Sequence, residues 1–218
     1  MHDLSYLDAS RSPVTPSTIY CIGRNYRAHA TELGNPVPAE PVVFLKARSA
    51  LRGLASAPVA FGDETFHHEV ELCVVLGCEV YEGDDADWSA IAAVGVGLDL
   101  TRRGVQDRCK ERRLPWTPAK SFRGSAIVGP LLPREAIEPD ALSFTLHVED
   151  EPRQHGEIGQ MLFDVPTLLR HLASLAPLVP GDIVFTGTPE GVGPLRRGER
   201  FRLALGDGRS SWHFDGEL

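Results

Sequence analysis

Glu69 and Glu71 stand two residues apart at the mouth of the apolar run LCVVLG, within FHHEVELCVVLG, residues 66–77. Such a run reads as a buried strand, and side chains two apart on a strand project from one face. Two carboxylates on one face repel each other and resist losing water, so either solvent or a positive charge lies between them. A third carboxylate, Asp99 in AVGVGLDLT, shares strand parity with Gly95 and Gly97, which are expected to leave room beside it for an ion or a ligand. Three carboxylates make a hard oxygen set that suits Mg²⁺ or Mn²⁺ better than a sulfur-loving metal. His67 has the parity of the two glutamates and is a candidate fourth ligand or ligand partner. His68 points to the other face and reads as structural.

A second group can move protons. His29 and Glu32 lie three apart in RNYRAHATELG, on one face of a short helix, where Glu can orient and charge-stabilise the imidazole as a general base. Asn25 is placed to start that helix and Gly34 to end it, and Pro36, Pro38 and Pro41 follow in an irregular stretch able to act as a lid. Lys120 in WTPAKSF is suited to stabilising an enolate or carboxylate. In FTGTPEGVGP a strand enters a Gly-Pro turn whose amides, with Thr188, can hold a carboxylate. The Gly-Lys-Ser/Thr ending of a phosphate loop is missing.

The elements that must hold these residues are mostly strands. TIYCIG, VVFLKA, the acidic strand, AAVGVGLDLT, FTLHVEDEPRQHG as a hairpin, GDIVF, FRLAL and SSWHF read as strands, with a turn around Gly62 and Asp63. MLFDVPTLLRHLASLA has helical spacing, and TRRGVQDRCKERR reads as a solvated helix because Asp107 and Glu111 interleave with its basic residues. The 218 residues suit one domain, 1–218, of the α+β class, mostly β with few short helices. A net charge of −8 argues against a nucleic-acid binder. No apolar run is long enough for a membrane span, and four cysteines without a Cys-x-x-Cys pair fit reduced thiols in a cytoplasmic protein.

Taken in order, GRNYxxHxxE, FLK, HHEVEL, GxDLTxRxVQ, PWTPAKSF and GDIVFTGTPEGVGP resemble the fumarylacetoacetate hydrolase family, above all its short acylpyruvase and oxaloacetate decarboxylase members. The resemblance runs from Ile19 to Leu195 and implies a mixed β-sandwich roll, a homodimer and one Mg²⁺ or Mn²⁺ per subunit. It implies Glu69, Glu71 and Asp99 as metal ligands, and His29 and Glu32 as a dyad on a lid, about residues 25–38, that orders over ligand. Lys120 would meet the substrate's oxygens, Gln106 the reacting group, Thr188 the carboxylate end, and Arg24 the pocket edge. Ala47, Gly104 and Ile158 depart from the usual Pro, Asp and Thr, which leaves the shape of the pocket rim, and hence substrate choice, open.

The implied function is metal-dependent C–C hydrolysis of small 2,4-dioxo acids, or decarboxylation of oxaloacetate, through a pyruvate enolate. The alternatives are an isomerase or decarboxylase of aromatic-acid catabolism and a catalytically silent 2-oxo-acid-binding protein. The intact His29–Glu32 pair speaks against the last, since simple binding needs no base.

Overall fold

The uninterrupted apolar runs become the middle of one large sheet. In the computed structural model, which describes residues 3–54 and 65–218, VELCVVL is a strand buried at every position and paired antiparallel with IAAVGVGLD. The turn expected around Gly62 and Asp63 lies outside the described residues. A strand covered on both faces needs no apolar–polar alternation, and each Val or Leu so buried contributes about 1.5–3 kcal/mol.

In chain order the first strands are β1 (Ile19–Gly23), β2 (Val42–Lys46), β3 (Leu51–Gly53), β4 (Phe66–His68), β5 (Val70–Leu76), β6 (Ile91–Asp99), β7 (Ala126–Val128) and β8 (Leu132–Pro133). After them come β9 (Ser143–Val148), β10 (Glu151–Glu157), β11 (Ile183–Phe185), β12 (Gly193–Leu195), β13 (Arg200–Gly206) and β14 (Ser211–Glu217). The helices are α1 (Arg27–Glu32), α2 (Arg103–Glu111), α3 (Thr117–Lys120) and α4 (Val165–Leu175). The large sheet runs β2-β1-β11-β5-β6-β7-β3 with β8 paired to β6, and it is mixed: β1–β11 and β3–β7 are parallel. A second, antiparallel sheet runs β10-β9-β13-β14, and β12 pairs with β4. The architecture is the expected mostly-β one.

One face of the large sheet carries the main core, where Leu72, Val96 and Val184 share a cluster with Leu146 and Leu203 of the second sheet and Leu168, Leu169 and Leu172 of α4. Asp164 starts α4, its carboxylate accepting the Thr167 N–H at 2.9 Å, and the 3.6-residue spacing turns these leucines to one side. The opposite face carries a smaller core of Ile19, Cys21, Cys73, Val75, Phe185 and their neighbours. Along β5 the residues alternate between the two cores, so Glu71 shares its face with Cys73 and Val75, and Asp99 falls on the same side through β6. The carboxylates emerge where the smaller core ends.

Two local expectations change. Gly97 leaves no space for an ion: a Cβ there would sit 2.4 Å from the Ile127 carbonyl oxygen and 2.9 Å from Cys73 Sγ, so the missing side chain admits β7 and the core. Asn25 does not cap α1, whose cap position is Tyr26. Fully buried, Asn25 instead donates to the Thr186 and Phe163 carbonyls at 2.8 and 3.0 Å and accepts the Phe163 N–H at 2.9 Å. Gly34 does end the helix, with φ at 64° and its N–H on the Thr31 carbonyl.

Candidate active site and metal centre

Glu69, Glu71 and Asp99 each bring a carboxylate oxygen within 4.8 Å of the others, and all three are buried. The β5–β6 pairing does this: the Asp99 N–H binds the Glu69 carbonyl at 2.8 Å, and Glu71 lies across from Gly97. Cations of the protein surround the cluster. Lys120 Nζ lies 2.5 Å from Glu69 Oε2 and 2.7 Å from Asp99 Oδ2, Arg103 Nη2 lies 2.5 Å from Glu69 Oε1, and Lys46 Nζ lies 2.6 Å from Asp99 Oδ1. Lys46 also donates to the Leu100 and Lys120 carbonyls. Glu71 differs, since its Oε2 accepts the Gly187 N–H at 2.7 Å but no ion pair reaches it among the described residues.

The electrostatics follow. Burial works against ionisation of Glu69, but Lys120, Arg103 and His29 outweigh it and hold the group well below the usual carboxylate range. Burial, then the charges of Asp99 and Glu69, push Glu71 well up. Lys120 is held above its ordinary value, because Asp99 and Glu69 overcome its desolvation. The set fits a divalent cation: Asp99 Oδ1 is buried without an aligned hydrogen-bond donor despite the nearby Lys46 charge, and Glu71, whose ionisation burial and the neighbouring carboxylates oppose, has no ion pair among the described residues. The hard oxygens suit Mg²⁺ or Mn²⁺. His67 stands outside this cluster: its backbone bridges Thr101 and its Nδ1 is a buried atom without a partner. Strand parity placed it on the right side, but the break between β4 and β5 at Glu69 interrupts the register.

Facing the carboxylates is α1. His29 is buried there, with Nδ1 3.4 Å from Glu32 Oε2, while Glu32 Oε1 accepts the Gly191 N–H at 3.0 Å. Burial lowers the His29 pKa, outweighing the opposing pull of Glu69 and Glu32, so the ring is neutral at neutral pH. Arg24, at the root of the helix, has left-handed φ of 60°. The cavity between α1 and the carboxylates, lined also by Gln106, Arg103, Phe44, Trp116, Lys120 and Thr188, measures about 30 Å³. That admits an ion or a water or two, not a four-carbon acid.

The structure thus brings all nine expected residues, Arg24, His29, Glu32, Glu69, Glu71, Asp99, Gln106, Lys120 and Thr188, to one place or to residues that touch it. Gln106 is buried on α2, its carbonyl oxygen accepting from Arg103 Nη1 at 2.6 Å. The helix read as merely solvated therefore turns one side inward: it supplies Arg103 and Gln106. Arg103 and Lys46 stood within the motifs without a role; their signal was charge balance, since buried carboxylates demand cations nearby. Ala47, Gly104 and Ile158 are not among the residues lining this cavity, and Ile158 packs against the main core.

Comparison with known proteins agrees. The family model described as fumarylacetoacetate (FAA) hydrolase C-terminal matches residues 18–211. The chain is 40% identical over 205 residues to the rice (Oryza sativa subsp. japonica) protein named oxaloacetate tautomerase FAHD2, mitochondrial, covering 90% of each. It is 39% identical over 192 residues to the human (Homo sapiens) protein named oxaloacetate tautomerase FAHD1, mitochondrial, covering 86% of each. The crystal structure of a fumarylpyruvate hydrolase from Pseudomonas aeruginosa, in complex with Mn²⁺ and pyruvate, superposes with a TM-score of 0.86 at 34% identity, covering all of this chain and 96% of that one.

Proposed function

The chain belongs to the fumarylacetoacetate hydrolase family, and from that premise we propose that it takes a small 2-oxo acid beside a divalent cation and passes it through its enol or enolate. The observation carrying this reading is a buried carboxylate triad closed over by a buried, neutral imidazole. Glu69, Glu71 and Asp99 would hold Mg²⁺ or Mn²⁺, which when bound supplies Lewis-acid polarisation of the 2-oxo group. Glu32 accepts from His29 Nδ1, leaving Nε2 as the basic nitrogen. Lys120 and Arg103 add fixed positive charge where an enolate oxygen would develop. Thr188 and Gln106, both on the cavity wall, would orient the acid.

Charge also points to the substrate. Lys46, Arg103 and Lys120 pair with the carboxylates, Arg24 and Lys110 also line the cavity, and a bound dication would add further positive charge. A doubly charged 2-oxo acid would offset that excess.

Oxaloacetate is the first substrate we propose, since relatives about 40% identical carry oxaloacetate tautomerase as their name. Its keto–enol interconversion moves one proton between carbon and oxygen, needs a base and an electron sink, and uses no activated water. A second reading, C–C hydrolysis of an acylpyruvate or fumarylpyruvate, is favoured by the neighbour bound to Mn²⁺ and pyruvate. There His29 would deprotonate a water for attack on the distal carbonyl, with a carboxylic acid and pyruvate enolate as products. Decarboxylation of oxaloacetate would use the same sink. We carry the homodimer as a proposal from the same resemblance, and a cytoplasmic location as one from the free cysteines.

The test is a panel with Mg²⁺ or Mn²⁺: ketonisation of enol-oxaloacetate, and pyruvate release from oxaloacetate, acetylpyruvate and fumarylpyruvate. Metal-dependent turnover of at least one is expected. No turnover of any, by protein that still binds oxalate and metal, would mark it as a silent binding protein.

A further inference from the structure

Gln154, 4% exposed, reaches from β10 of the second sheet to the segment that follows β11. Both ends of its amide are fully engaged. Oε1 accepts the Val70 N–H at 3.0 Å and meets His68 Nδ1 at 3.0 Å. Nε2 donates to the Pro189 carbonyl at 3.0 Å and to Thr188 Oγ1 at 2.9 Å.

The direction of these bonds is forced. A backbone N–H only donates and a carbonyl only accepts, so Val70 and Pro189 together allow one orientation of the amide. It follows that His68 carries its proton on Nδ1. It also follows that Thr188 Oγ1 is an acceptor towards Gln154. A hydroxyl that accepts from one neighbour directs its own proton elsewhere, and Thr188 lines the cavity beside Glu71, whose Oε2 is held by the adjacent Gly187 N–H. An ionised carboxylate can only accept.

We propose that Gln154 is a positioning residue that makes Thr188 a hydrogen-bond donor, so that this wall of the cavity selects an anionic carboxylate and disfavours groups that must donate. The chain of command runs from the Val70 backbone and His68, through Gln154, to one hydroxyl proton. The inference rests on the reading of the cavity as a 2-oxo-acid site.

The experiment measures oxalate affinity by calorimetry on the Mn²⁺-loaded protein, with kcat and KM for oxaloacetate alongside. Thr188→Val should weaken oxalate by about 10- to 100-fold, the range for a hydrogen bond to a charged group, and Thr188→Ser should restore it. Gln154→Leu should weaken oxalate comparably, raise KM more than it lowers kcat, and add nothing further in the Thr188→Val background. Gln154→Glu, nearly isosteric, places an acceptor where Nε2 stood and turns the Thr188 proton away from the ligand; it should cost at least as much as Thr188→Val, and it decides the matter should Gln154→Leu fail to fold. Additive losses in the double variant, or wild-type oxalate affinity in a folded Gln154 variant, overturn the proposal. Wild-type affinity in Thr188→Val instead overturns the carboxylate role of Thr188, and the proposal with it.

Discussion

Glu71 and Asp99 project from β5 and β6, central strands with near-complete burial, whereas His29 and Glu32 ride on a helix of six residues. The strand half is held by backbone ladders, the buried Lys46 and Lys120, and the partly buried Arg103. The helix half is held by Tyr26 and Ala30 in the core, the Asn25 side chain, and the Glu32–Gly191 hydrogen bond. So short a helix has little stability of its own. The difference suits the tasks we propose: a charge cluster that would not relax when a dication arrives, and a base on an element able to move for an acid larger than the present cavity.

The largest effects should come from the strand half, and two substitutions there should behave oppositely. Asp99→Asn leaves Lys46 and Lys120 short of their anion, and breaking such a buried arrangement costs about 3–5 kcal/mol. Glu71→Gln removes a carboxylate whose ionisation burial and its like-charged neighbours oppose and which no ion pair holds among the described residues, so the metal-free protein should melt no lower than wild type. In both variants Mn²⁺ affinity should fall by more than about 100-fold, beyond the loss typical of a mere ligand partner. Calorimetric Mn²⁺ titration and thermal melts check this; a Glu71→Gln protein that melts well below wild type without metal would contradict the charge assignment.

On the helix half, His29→Ala should lower water-dependent cleavage of acylpyruvates by about 10²–10⁴-fold, and oxaloacetate decarboxylation much less. Equal losses in both would mean that His29 serves closure rather than proton transfer. The base acts when deprotonated, and burial depresses its pKa, so kcat/KM should fall on acidification with a midpoint below the ordinary histidine value of 6.5. The sign for closure is the same: a folded pKa below the unfolded one stabilises the closed helix at higher pH, and that contribution is lost as pH falls below 6.5. A pH profile of wild type and His29→Ala separates the two.

Smaller again is the dynamic contrast. Amides of residues 27–34 should exchange faster than those of β5 and β6, and should slow when oxalate and Mn²⁺ are added together. Unchanged exchange would argue for a helix as fixed as the sheet. Smallest is Arg24→Gly. Relief of the left-handed backbone at φ 60° should gain up to about 1 kcal/mol, or about 2–4 °C in Tm for a chain this size, while KM rises through loss of the guanidinium. A lower Tm would show that the Arg24 side chain contributes more than its backbone costs.

Much of the site was legible because its chemistry is local: Glu69 and Glu71 by strand parity, His29 and Glu32 by helical spacing. What parity could not supply was the third dimension. Gly97 looked like space and proved to be contact with β7, because only the sheet order shows which strand approaches. Asn25 looked like a helix cap and proved to be a bolt between Phe163 and Thr186, partners more than 130 residues away. Lys46, Arg103 and Gln154 were hidden for the same reason: each acts on a group from a distant segment, and long polar side chains are ordinarily solvated.

The position of β11 has a consequence for the order of assembly. It lies in the large sheet between β1 and β5, with Ile19 registered to Ile183 and Phe185 to Cys73, so strands made early share a partner made late. The β5–β6 pair joins residues 15–28 apart and can form while the rest of the chain is still emerging from the ribosome. A nascent chain would therefore hold its three carboxylates together before β11 delivers Gly187 and Thr188, and before the helix of His29 has anything to close against. During synthesis an acidic hairpin would exist without its catalyst, and chemistry would begin only when the last third of the chain had folded back into the middle of the first.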